Sequence, residues 1–135
     1  MRFVKYRQMY ENCTTVTTNL EIVHLRPTPG FDNDLSFFEN IREVHGYVMV
    51  ASNLVDRVPL TSLRVIRGLV QYQPTRTDNS TLQDADDVGF SLYVVGNNLR
   101  QSDGSEQGLR VLQLPALRGI VSVHVVSVYH YNCRF

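Results

Sequence analysis

Asp84, Asp86 and Asp87 crowd three carboxylates into four positions, the one dense acidic cluster in this 135-residue chain and a set of groups that can hold a hard cation. They lie in PTRTDNSTLQDADDVG, residues 74–89, the longest polar stretch, and lack the ligand order of a calcium-binding loop. The segment therefore reads as a solvated insertion. The four histidines, His24, His45, His124 and His130, fall in different segments and, the last two excepted, lack metal-ligand spacing, so they read as strand or loop surface residues. GxSxG, GxxxxGK and HExxH patterns are all missing. The expectation is no catalytic residue, no metal and no cofactor.

Two other kinds of residue carry chemistry. Asn12-Cys13-Thr14 and Asn79-Ser80-Thr81 are N-glycosylation sequons, which makes Asn12 and Asn79 candidate glycan acceptors in a secreted chain. Cys13 and Cys133 are the two cysteines. They read as buried thiols in a reducing compartment or as disulfide halves in an oxidising one, and composition does not choose.

Lys plus Arg is 13 and Asp plus Glu is 13, so no net field gathers nucleic acid or an anionic membrane. Apolar residues are 43% and charged ones 19%, a globular balance for a chain of single-domain size. The most apolar segment, GIVSVHVVSVYHY at residues 119–131, is interrupted by Ser and His and is too short to span a bilayer. MRFVKYRQMYENC at the start lacks the apolar core of a secretory signal. The expectation for this chain is neither a signal peptide nor a transmembrane helix, and no direct membrane insertion.

The elements that must position these residues show in the hydrophobic rhythm. In LSFFENIREVHGYVMVASN, residues 35–53, Leu35, Phe38 and Ile41 recur every third position, as in a helical or 3₁₀ turn. After Gly46 the spacing becomes two, with Val48 and Val50 marking a strand. VPLTSLRVIRGLVQY repeats the logic with Leu60, Leu63 and Ile66, then Gly68, then Val70 and Tyr72. A looser copy runs through Leu112, Leu114, Leu117 and Ile120 into Val123 and Val125. Phe38, Leu63 and Leu117 lie 25 and then 54 residues apart, and 54 reads as two steps of 27 with an intermediate turn near residue 90.

A strand and a tight corner per turn predict a mostly β fold with short helices, a right-handed parallel β-helical solenoid related to leucine-rich repeats. Parallel strands are expected near Leu20, Val48, Val70, Leu92 and Val123–Val128. Leu20, Ile22, Val48, Val50, Leu63, Ile66, Leu92, Val94 and Leu117 are then core. Asn53, Asn97 and Asn132 follow three of these strands, where their amides can bond the free backbone groups of the next turn and form a ladder.

YRQMYENC, NLEIVHL, DLSFFENIREVHGYVMVASN, VPLTSLRVIRG and FSLYVVGNN fit one family together. From about Tyr6 to Asn132 the chain resembles the receptor L domain, the ligand-binding module of the epidermal growth factor receptor and insulin receptor families. It is most similar to the first L domain of the EGF-type receptors. The resemblance implies one L domain over residues 1–135, lacking its N-terminal cap and the cysteine-rich domain that follows in the family. It implies a non-catalytic, extracellular module of a single-pass receptor tyrosine kinase, which binds an EGF-like or insulin-like polypeptide on the exposed side of its sheet and dimerises in the full receptor. His24, Ser52, Gln73 and Val95 match the family's ligand-contacting strand ends. Cys13 and Cys133 match cysteines whose disulfide partners lie outside this chain, so no bridge between the two is expected.

Two other readings stand beside this one. A structural leucine-rich-repeat spacer would show a uniformly polar sheet face. A parallel β-helix enzyme that cleaves polysaccharides needs paired carboxylates on neighbouring turns, whereas the predicted strands offer only Glu21.

Overall fold

Phe3, Tyr6 and Tyr10 recur at helical spacing and form the buried face of α1, Arg2–Tyr10, the first element of a computed structural model that describes residues 2–73, 89–120 and the backbone of 123–124. Asn12, at φ +63°, ends the helix in the left-handed region that asparagine tolerates. Short strands follow: β1 (Thr15–Val16), β2 (Leu20–Val23), β3 (Glu43–Val44), β4 (Val48–Ala51), β5 (Arg57–Pro59) and β6 (Val65–Ile66). Next come β7 (Leu92–Val95), β8 (Asn98–Arg100), β9 (Glu106–Gly108), β10 (Val111–Gln113), β11 (Gly119–Ile120) and β12 (Val123–His124). The expected tight turn before β3 is a 3₁₀ helix, Ser36–Asn40. The described residues are thus mostly β, with one α-helix and one 3₁₀ turn.

Pairing is parallel in three sheets. One has the order β1-β3-β6-β11, a second β2-β4-β7-β12, and β5 pairs with β10. The chain steps from the first sheet to the second at each pass. Two glycines mark those corners. A Cβ on Gly46 would lie 1.8 Å from Asn19 Oδ1, and Gly68 sits at φ +61°. β8 and β9 form an antiparallel hairpin outside the parallel sheets.

The register corrects the repeat length expected from the sequence. Thr15, Glu43, Val65 and Gly119 are in register, at intervals of 28, 22 and 54 residues. Because β6 pairs directly with β11, the last interval is one pass and not two steps of 27. It holds residues 74–88 and the β8–β9 hairpin. β7 is the strand expected near residue 90, and it belongs to the second sheet.

Two further corrections concern particular residues. The third strand is Val65–Ile66, whereas Val70 is 57% exposed beyond the Gly68 corner, and Tyr72 makes only an isolated antiparallel bridge to Phe90. Leu117 is only partly buried, because it packs on the core from beside β11, the outermost described strand of its sheet. The other expected core residues, from Leu20 to Val94, are buried, alongside Phe38, Ile41 and Val44.

Asparagines close the interior. Asn53 Oδ1 accepts from Leu25 N at 2.9 Å, and its Nδ2 donates to Ile22 O at 2.7 Å and Asn97 Oδ1 at 3.0 Å. Asn97 Nδ2 donates in turn to Val50 O at 2.8 Å. Each amide thus bonds a neighbouring pass, which is the expected ladder; Asn132 lies outside the described residues.

Candidate functional site

Strand alternation sends Leu20, Ile22, Val48, Val50, Leu92 and Val94 inward, so the same pleat turns the residues between them outward. Cross-strand register then builds two outer rows, Glu21–Met49–Tyr93 and Val23–Ala51–Val95. The second row is apolar throughout and half-buried. Beyond it each strand stops on a left-handed residue, His24 at φ +56°, Ser52 at +56° and Gly96 at +58°. That geometry turns the following residues, Leu25, Asn53 and Asn97, into the interior.

An aromatic cluster borders the first row. Tyr72 lies between Tyr47 and Tyr93, with ring centroids 5.6 and 4.7 Å away, and Phe90 stacks on Tyr93 at 5.6 Å. The Tyr47 hydroxyl donates to the Glu21 carboxylate. Burial first, and then the bond to Glu21, push the Tyr47 hydroxyl up to about 12. Burial also raises Tyr93, helped by Tyr72. These hydroxyls stay protonated at neutral pH, so the face offers apolar contact and hydroxyl hydrogen bonds to a partner, not a base.

Three of the four expected ligand contacts are brought together here. His24 is exposed just past β2, while Ser52 and Val95 are half-buried neighbours whose backbones bond, Ser52 N to Val95 O at 3.2 Å. His24 N likewise donates to Ala51 O at 3.2 Å. Gln73 stands apart: it is exposed after Tyr72, which bridges Phe90 at the opposite, N-terminal ends of the strands. The sequence reading missed Met49, Tyr93 and the Tyr47–Tyr72 pair. For Met49 and Tyr93 the signal was available, since each alternates with the core residues that flank it.

The remaining expected residues lie elsewhere. Asn12 is exposed at the end of α1, while Cys13 is half-buried, unbonded to another cysteine, with its thiol donating to Thr15 O at 3.4 Å. Asn79, Cys133 and the cluster of Asp84, Asp86 and Asp87 lie outside the described residues. Among the described residues no group of His, Cys, Asp and Glu is arranged to hold a metal. The strand carboxylates number more than the expected Glu21, because Glu43 lies on β3 and Glu106 on β9. A bond from Arg67 holds the Glu43 carboxyl below its usual range. Glu21 and Glu43 sit in different sheets, so they do not make the facing pair a glycosidase needs. No helix among the described residues is long and apolar enough to cross a membrane.

The family model described as Receptor L domain matches residues 12–134. The epidermal growth factor receptor of Gallus gallus is 38% identical over 120 residues, covering 89% of this chain and 14% of that receptor. The melanoma receptor tyrosine-protein kinase of Xiphophorus maculatus is 36% identical over 123 residues, 89% of this chain and 9% of the relative. Receptor tyrosine-protein kinase erbB-4 of Mus musculus is 41% identical over 90 residues, 67% of this chain and 7% of the relative. The chain thus spans 14% or less of the length of these relatives.

Proposed function

Since the chain belongs to the receptor L domain family, we propose that it is the extracellular ligand-binding module of an EGF receptor-like receptor tyrosine kinase, taking a growth-factor polypeptide on the outer face of the β2-β4-β7 sheet. Residues 1–135 are one L domain, whose described strands stack as a parallel solenoid related to leucine-rich repeats. The module is non-catalytic and works by surface complementarity, with kinase activity and receptor dimerisation belonging to the longer receptor. His24, Ser52 and Val95 contact the ligand at the strand ends, and Gln73 contacts it from the aromatic end.

The observation that carries this reading is the apolar row Val23–Ala51–Val95 beside the tyrosine cluster. A sheet facing only water would alternate core residues with polar ones, as a structural spacer does. This one exposes an apolar strip edged by hydroxyls, the composition of a protein-binding patch.

Ser52→Arg tests it, because residue 52 sits at the centre of the strand-end column. Binding of immobilised epidermal growth factor and, in parallel, insulin is measured by surface plasmon resonance. A large side chain there is expected to weaken binding at least tenfold with an unchanged circular dichroism spectrum. Wild-type affinity in the folded variant would remove the site.

A further inference from the structure

A column of arginines climbs the β1-β3-β6-β11 sheet at the position just before its strands. Arg64 N donates to Arg42 O at 2.8 Å and Arg118 N to Arg64 O at 2.8 Å. The three residues are therefore stacked at the strand spacing of about 4.8 Å. All three are exposed, and none makes an ion pair with a described residue. The nearest carboxylate in the register, Glu43, is already engaged by Arg67 and by His45 at 3.2 Å. Among the described residues, Glu43 is thus taken by Arg67 and His45, and Arg42, Arg64 and Arg118 make no ion pair.

Backbone bonds hold these like charges in a row that repulsion alone would scatter. Nothing described within the chain neutralises them, and a bound polyanion would. Guanidinium groups suit oxyanions because their planar fork offers two parallel N–H bonds. A straight row at even intervals matches a linear polymer better than a flat headgroup surface does.

We propose that the Arg42–Arg64–Arg118 column is a docking track for a linear sulfated polysaccharide. The extracellular setting proposed above brings such polymers within reach, whereas anionic lipid is concentrated in the cytoplasmic leaflet. The track lies on a different sheet from the growth-factor face, so both can be occupied.

The test titrates the chain with heparin fragments by calorimetry at several salt concentrations. Wild type is expected to bind with an affinity that falls steeply as salt rises. Each Arg→Gln change in the column should weaken binding about threefold, and R42Q/R64Q/R118Q together by tenfold or more. The control R2Q/R26Q/R100Q removes the same charge from exposed arginines elsewhere and should bind as wild type does. Equal losses in both triple variants would reduce the effect to net charge and overturn the track. No loss in the column variant, no heparin binding by wild type, or a preference for phosphatidylserine vesicles or RNA over heparin would overturn it as well. Arg64→Lys, with thermal melting of every variant alongside, separates lost contacts from lost folding: it keeps the charge without the fork, so it should melt as wild type does and bind between wild type and Arg64→Gln.

Discussion

Asn53 shows how much one polar side chain can do in an apolar stack. Its amide is fully buried: Oδ1 accepts from Leu25 N–H, which lies past the end of β2, and Nδ2 donates to Ile22 C=O within that strand. Leu or Val would fill the space but leave Leu25 N–H dry and unpaired. Asn53→Ala should therefore cost about 1 to 3 kcal/mol, the value of one orphaned buried group. Asn53→Asp should be no better, because a carboxylate cannot donate to Ile22 O and carries charge into the core. Urea denaturation checks this against Ser102→Ala at the exposed hairpin tip, where a change below about 0.5 kcal/mol is expected. A loss under 1 kcal/mol for Asn53→Ala would show that the ladder is incidental to stability.

At the scale of elements, β6 separates the pattern that can be read in the sequence from the one that cannot. Leu63, Val65, Ile66, Leu69, Val70 and Tyr72 are all apolar or aromatic, and twofold spacing favours a strand at Val70. The backbone instead pairs Val65–Ile66 with β3 and β11, then leaves the sheet at Gly68, so Leu69 and Val70 are 75% and 57% exposed. Two-residue strands are too short to display a period, which is also why β1, β3 and β11 are hard to see in advance. β2, β4 and β7, at four residues, are legible from alternation, and so is the 3₁₀ turn from its threefold spacing. The division of 54 residues into two passes fails because length alone cannot tell an insertion from a turn. At the candidate site, alternation turns Met49, Tyr93 and Val95 outward, while the rows they share emerge only once cross-strand register is known. Ile66→Ala should cost about 2 to 4 kcal/mol, as truncation of a fully buried aliphatic does, and Val70→Ala less than about 0.5 kcal/mol. Comparable losses at both positions in chemical denaturation would contradict the register.

For the whole molecule, the position of the two cysteines tests the order of stacking. Cys13 stands just before β1, at one end of the β1-β3-β6-β11 sheet, and β11 is three strand spacings away. With strands about 4.8 Å apart, that is roughly 14 Å along the stack. The chain leaves β12, the far strand of the second sheet, and Cys133 follows His124 by nine residues outside the described region. Nine extended residues can reach roughly 30 Å, so a return to Cys13 is not forbidden by length. It would require the segment to abandon the parallel stack and run back down its flank, because a disulfide needs Cα atoms within about 7 Å. The apolar, β-branched residues of GIVSVHVVSV favour continued parallel pairing over such a return. Both thiols should therefore be free of each other, and alkylation of the denatured, unreduced monomer should add one label at Cys13 and one at Cys133 in mass spectrometry. An unlabelled monomer with a closed Cys13–Cys133 bridge would place the C-terminal segment over the first pass and overturn the stacking order for that end of the chain.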